Sequence, residues 1–201
     1  MSYLRCQYFI LYLKENTSKM LSIRWILVFL LIPLFGQAQC EIFKSEISEV
    51  EAEMRAVHRL ADSLKTFAEA AAYGDRYLKA HEDARKTMLL TGQALAFAYD
   101  AASVAAEAQY HSGICGIDAV KSAAIDAEDF STSARDLMEE AYALAKKAYG
   151  TRKLGNIHYY MRKSLDASRE AEKLAESAMY AASDSYRSCT HNDISMGGND
   201  K

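Results

Sequence analysis

Two histidines, His81 and His158, lie 77 residues apart in matching surroundings. Arg85, Lys86, Thr87 and Met88 follow the first as Arg162, Lys163, Ser164 and Leu165 follow the second. Paired imidazoles at matched positions on two helices would make half of a metal or haem site. No Glu-x-x-His pair accompanies them, so the di-iron pattern is missing; neither Cys-x-x-Cys-His nor His-Glu-x-x-His occurs. The plainer expectation is two boundary histidines making local hydrogen bonds, with no cofactor bound. His58 stands about 24 Å along its helix from the nearest turn, too far to join them.

Tyrosine and arginine form the second group. Tyr73, Arg76, Tyr77, Tyr149, Arg152, Tyr159, Tyr160 and Arg162 crowd around two Tyr-Gly steps, with Lys153 and Lys163 beside them. Aromatic residues with arginine are enriched at binding hot spots. These eight are therefore a candidate contact surface for an acidic partner or a glycan; the alternative is that they cap the ends of a core too narrow to hold them.

Cysteine is the third. Cys40, Cys115 and Cys189 are spaced by 75 and 74 residues. If each spacing is one helical hairpin, all three fall at one pole of the molecule. In an exported protein such thiols oxidise, and Cys115–Cys189 is the favoured bridge, because Cys40 begins the first helix on a loose terminus. The third thiol would be free or would pair with another molecule.

Other chemistry is not visible. The chain has no glycine-rich phosphate loop and no Gly-x-Ser-x-Gly elbow. Asp126, Glu128 and Asp129, or Glu139 with Glu140, read as solvated helix faces. No nucleophile with an oriented base is evident, so an enzyme is not expected. A net charge of −3 with no basic face argues against nucleic acid.

The elements that must position these groups are marked by punctuation. The chain has one proline, Pro33, and nine glycines. From residue 39 on, the glycines cluster at 74, at 113 and 116, at 150 and 155, and at 197 and 198, with Gly92 alone in mid-segment. Glycine and proline are the strongest local breakers, so four uninterrupted runs remain. Alanine, leucine, glutamate and lysine dominate them, and no stretch alternates with period two. The expectation is an all-α, antiparallel up-down-up-down four-helix bundle of long helices over 39–189, built as two tandem hairpins.

Phe43, Ile47, Val50, Met54, Val57, Ala61, Leu64, Ala68 and Ala71 alternate spacings of four and three, a heptad stripe for supercoiled packing. Gly74 should end that helix as a left-handed cap. The second stripe is read as Leu78, His81, Ala84, Met88, Leu95, Ala98, Ala102, Ala105 and Gln109. The third is Val120, Ala124, Ala127, Ala134, Met138, Ala141, Ala145 and Ala148, unbroken through Ser131, Thr132 and Ser133. The fourth is Ile157, Met161, Leu165, Ser168, Ala175, Ala178, Ala182 and Tyr186, followed by a disordered tail over 190–201. Ala72-Tyr73-Gly74-Asp75-Arg76 recurs as Ala148-Tyr149-Gly150-Thr151-Arg152, which suggests an internal repeat.

Residues 1–38 read as an N-terminal extension and secretory signal. Lys19 and Arg24 precede an apolar run from Trp25 to Phe35, and Gly36-Gln37-Ala38 offers a cleavage site after Ala38. Met20 competes with Met1 as the start. The expectation is a periplasmic or extracellular protein whose mature form does not span a membrane. It would act as a structural or protein-interaction module of the cell envelope, partnered by a protein or envelope component and able to oligomerise through a spare cysteine. The alternative is a small-ligand, metal or haem-binding bundle using His81, His158 and the core near Gly92.

Overall fold

The computed structural model describes residues 40–113 and 117–196; side chains are described to Thr190. The expected signal segment, its cleavage site and Cys115 lie outside these residues. Four helices make up the described chain. They are α1 over 40–73, α2 over Tyr77–Ser112, α3 over Asp118–Gly150 and α4 over Leu154–Met196. At 1.5 Å per residue each is ~50–65 Å long. This is the four-helix bundle expected from the punctuation. No described helix is long and apolar enough to cross a membrane.

Polar contacts give the order of the helices around the bundle. Glu46 of α1 meets His111 of α2, and Tyr99 of α2 meets Glu139 of α3. Ser164 and Ser185 of α4 donate to the Ala141 and Val120 carbonyls of α3 at 2.8 and 2.9 Å. Arg169 of α4 pairs with Glu69 of α1 at 2.8 Å. Each helix thus neighbours the next, and α1/α3 and α2/α4 are the diagonals.

The α1 stripe is buried at all nine positions, as the heptad spacing requires. The α3 stripe is buried too, and Ser131 fills its one gap, so α3 runs unbroken through the hydroxyl cluster. Two other stripes are corrected. In α2 the inside positions are Ala80, Ala84, Thr87, Thr91, Ala94, Ala98, Ala101, Ala105, Ala108 and Ser112, whereas Leu78 is 80% exposed. Met88 and Leu95 flank the seam, half-buried. Threonine occupies the core because its hydroxyl is satisfied within the helix. Thr87 donates to the Asp83 carbonyl at 2.9 Å and Thr91 to the Thr87 carbonyl at 2.8 Å. In α4, Ser185 takes the place expected for the exposed Tyr186, its hydroxyl spent on Val120. α4 also continues into the segment read as a tail, because the first breaker after Gly155 is Gly197.

Every stripe now follows one rule. The buried positions of α3 stand 77 residues after those of α1, and ten of α4 stand 77 after the ten of α2. Along the first diagonal, bulk is paired with smallness. Val50, Met54, Val57 and Leu64 of α1 correspond to Ala127, Ser131, Ala134 and Ala141 of α3. At one layer the roles reverse: Ala61 corresponds to Met138. Across the other diagonal the middle layers are alanine on both helices, Ala94, Ala98, Ala101 and Ala105 with Ala171, Ala175, Ala178 and Ala182. Alanine contributes little buried area, but it lets helices approach closely.

The two Tyr-Gly steps differ in the structure. Gly74 lies just beyond α1 and does not adopt the left-handed conformation expected of it. Glycine is required there for space: a Cβ would stand 2.6 Å from the Ala70 carbonyl oxygen, which is fixed backbone. Gly150 is the last residue of α3, and a Cβ there meets nothing within 4 Å. The 76-residue offset of the Tyr-Gly echo is thus one residue out of step with the 77-residue structural period. Gly74→Ala is expected to destabilise by more than about 1 kcal/mol, and Gly150→Ala to stabilise by roughly 0.5–1 kcal/mol. Thermal melts of the two variants check both signs; a neutral Gly74→Ala would refute the steric account.

Candidate functional site

The α1–α2 and α3–α4 turns share one pole, and the two histidines brace it. His81 of α2 donates its Nε2 proton to the Tyr149 carbonyl of α3 at 2.9 Å. His158 of α4 donates in the same way to the Gly74 carbonyl beyond α1, at 2.8 Å. A carbonyl only accepts, so both rings carry their proton on Nε2. Each histidine therefore occupies an orphan carbonyl at the end of a helix from the other hairpin. Both bonds cross the bundle to partners 68 and 84 residues away, where local hydrogen bonds were expected. Each Nε2–H is spent on a carbonyl, which leaves only the Nδ1 of either ring as a possible metal ligand. Among the described residues no group of three His, Cys, Asp or Glu could hold a metal ion.

The tyrosines divide into two sets. Tyr77 and Tyr149 flank the His81 ring, with centroids 5.6 and 4.7 Å away, and the Tyr77 hydroxyl reaches the Thr151 carbonyl at 3.4 Å. They are half-buried parts of the brace. Tyr73 is 69% and Tyr159 50% exposed. Arg76, Arg152 and Arg162 are exposed with them. Lys163 sits over the Tyr159 ring, 5.2 Å from its centroid, an aromatic–cation contact at the surface. Tyr160 lines an open depression of about 500 Å³ together with Lys147, Thr151, Arg152, Lys153 and Asn156. Sequence reading missed Lys147, Thr151 and Asn156 because none is aromatic or arginine. The helical wheel held the signal: Lys147 is one turn before Gly150, and Asn156 is on the first turn of α4.

Nearby carboxylates are mostly engaged. Arg85 donates to both oxygens of Glu82, at 3.0 and 2.9 Å, and that hydrogen bond holds the carboxyl below its ordinary range. Asp83 is buried, its Oδ1 3.9 Å from Lys86. The core near Gly92 is filled from outside: the Tyr142 ring lies 3.3 Å from where a Cβ would stand.

At the opposite pole Cys189 is buried in the core and Cys40 packs against the same cluster. Two of the three cysteines thus share a pole, as their spacing predicts.

One titrating group lies between the poles. Burial, then the Asp100 and Glu49 carboxylates, push the Glu53 carboxyl above its ordinary value of 4.5. A raised acid pKa means that the folded state holds the proton more tightly than the unfolded chain. Stability therefore falls as pH rises through that window, and the penalty is complete above it. Glu53→Gln is expected to raise the melting temperature at pH 7 and to lose that advantage below pH 4.5. Melts of both proteins across pH 3–8 check it; equal curves throughout would refute it.

Comparison with protein-family models, with curated proteins and with solved structures found no match.

Proposed function

We propose that this protein is an exported, non-enzymatic helical bundle that serves as a structural or protein-interaction module of the cell envelope, with the turn pole as its contact end. The carrying observation is the composition and exposure of that pole. Tyr73 and Tyr159 stand in solvent beside Arg76, Arg152 and Arg162. The backbone beneath them is fixed by the His81 and His158 bonds. A rigid backbone beneath exposed aromatics and arginines avoids the main-chain part of the ordering cost of binding, and these residue types are the ones enriched at recognition hot spots.

The two halves are read as tandem copies of one hairpin. The 77-residue recurrence of buried positions supports that reading, as do the reciprocal histidine bonds. Export is supported by the sequence of residues 19–38 and carries an oxidation test. Cys115 and Cys189 are expected to bridge, closing a long loop worth ~4 kcal/mol in the chain-entropy model. Alkylation without reductant followed by intact-mass measurement reads the outcome; three modified thiols among Cys40, Cys115 and Cys189 would end the disulfide proposal.

Sedimentation with isolated envelopes of the source organism tests the contact reading. The protein is expected to co-sediment, and Tyr73→Ala/Tyr159→Ala to abolish this without lowering the melting temperature. Undiminished binding by that variant would overturn the assignment.

A further inference from the structure

The α3–α4 turn differs from its counterpart in a way that folding does not explain. Positions 77 residues apart occupy equivalent places in the two hairpins. Asp75 of the first turn corresponds to Arg152 of the second, Arg76 to Lys153, Ala70 to Lys147 and Asp83 to Tyr160. The first turn is mixed in charge and carries a buried carboxylate. The second is cationic, and no carboxylate lines its depression. Both turns join antiparallel helices and both are braced by a histidine from across the bundle. The fold therefore has no need of three cations at the second.

Like charges on neighbouring positions repel, so gathering them there is unfavourable unless a counter-charge is supplied. No described residue supplies one: Lys147, Arg152 and Lys153 make no ion pair with the described chain. Two neutral polar groups stand with them. Asn156 Nδ2 reaches Thr151 Oγ1 only at 3.4 Å, and the Lys153 amide reaches the same oxygen at 3.4 Å. These are long contacts, so amide and hydroxyl can turn to a stronger acceptor at little cost.

We propose that the α3–α4 turn binds a phosphate group. This rests on the reading of the turn pole as a contact end and names the chemistry of what it contacts. Three cations, one amide and one hydroxyl around an open depression of about 500 Å³ suit a compact, multiply charged oxyanion. The depression is open rather than enclosed, which suits a phosphate displayed on a larger molecule. The His81 bond to the Tyr149 carbonyl, at 2.9 Å, fixes the backbone at the rim from which the cations extend.

The test uses the full chain, isotope-labelled and followed by amide chemical shifts, against inorganic phosphate and, separately, vesicles of phosphatidylglycerol or phosphatidylcholine. Saturable shifts at Thr151, Arg152, Lys153 and Asn156 are expected. Arg152→Glu/Lys153→Glu should weaken binding about tenfold or more, at unchanged melting temperature. Lys79→Glu, an exposed cation at the start of α2 outside the contact surface, should leave it within about twofold. A response to phosphatidylglycerol alone identifies a lipid headgroup as the source; a response to inorganic phosphate identifies a phosphate group free of lipid; either supports the site. Shifts spread equally over both turns, equal losses for Lys79→Glu, or no shift with any probe would overturn it. No shift with any probe, with envelope binding lost in Tyr73→Ala/Tyr159→Ala, removes the phosphate site and leaves the contact reading standing. The converse, phosphate binding intact with envelope binding indifferent to both pairs, removes the contact reading instead.

Discussion

Met138→Ala is expected to destabilise the bundle by roughly 2–5 kcal/mol, the range for truncating a fully buried large side chain. Met138 is fully buried, and the other inward side chains of α3 are no larger than Val120. In the layer that it fills, the α1 partner position is small, Ala61. Removing the thioether side chain leaves alanine on both helices of that diagonal, and the rigid neighbours cannot collapse to fill the void. Ala61→Met alone overpacks the same layer and is expected to cost about 1–3 kcal/mol. Together the two substitutions move the bulk from α3 to α1, and the double variant should be more stable than the sum of the singles predicts. Chemical denaturation of the four proteins reads the coupling. Strict additivity would show that positions 77 apart do not share a layer.

Ala98→Leu is expected to cost about 1–3 kcal/mol or to loosen the bundle, although leucine is a good helix former. Ala98 is fully buried in the stretch where α2 and α4 present alanine at every inward position. The axes approach closely because no side chain holds them apart, so three added carbons have no space without displacing a helix. The control is Ala96→Leu, two residues away on the exposed face. That substitution should change stability by less than about 0.5 kcal/mol. Equal effects from the two variants would mean that the alanine layers are not tightly packed.

The outcomes for individual residues show where periodicity is a sound guide and where it fails. The α1 and α3 stripes were legible because their inward residues are apolar and follow strict heptad spacing. The α2 stripe was misassigned at its start because Leu78 and Met88 advertise hydrophobicity, whereas the positions inside are Thr87 and Thr91. Threonine is accepted there only because each hydroxyl finds a carbonyl one turn back, a fact about helical geometry that hydropathy does not encode. Tyr186 misled in the same way, with Ser185 inside because its hydroxyl reaches Val120. At the turn pole, residue type found the arginines and tyrosines. It did not separate exposed Tyr73 and Tyr159 from Tyr77 and Tyr149, which the brace consumes.

By itself the sequence determined the helix count, the interior breaks between the helices and the inward faces of α1 and α3. These depend on local quantities: propensity, glycine placement and a repeating apolar spacing. Only the tertiary structure decided the work of His81 and His158, whose partners lie 68 and 84 residues away. It likewise decided that Gly74 is needed for room, and that Lys147, Arg152 and Lys153 gather around one depression. Contacts of that kind exist only once two hairpins close on each other, and closure brings together residues whose separation along the chain no local pattern records.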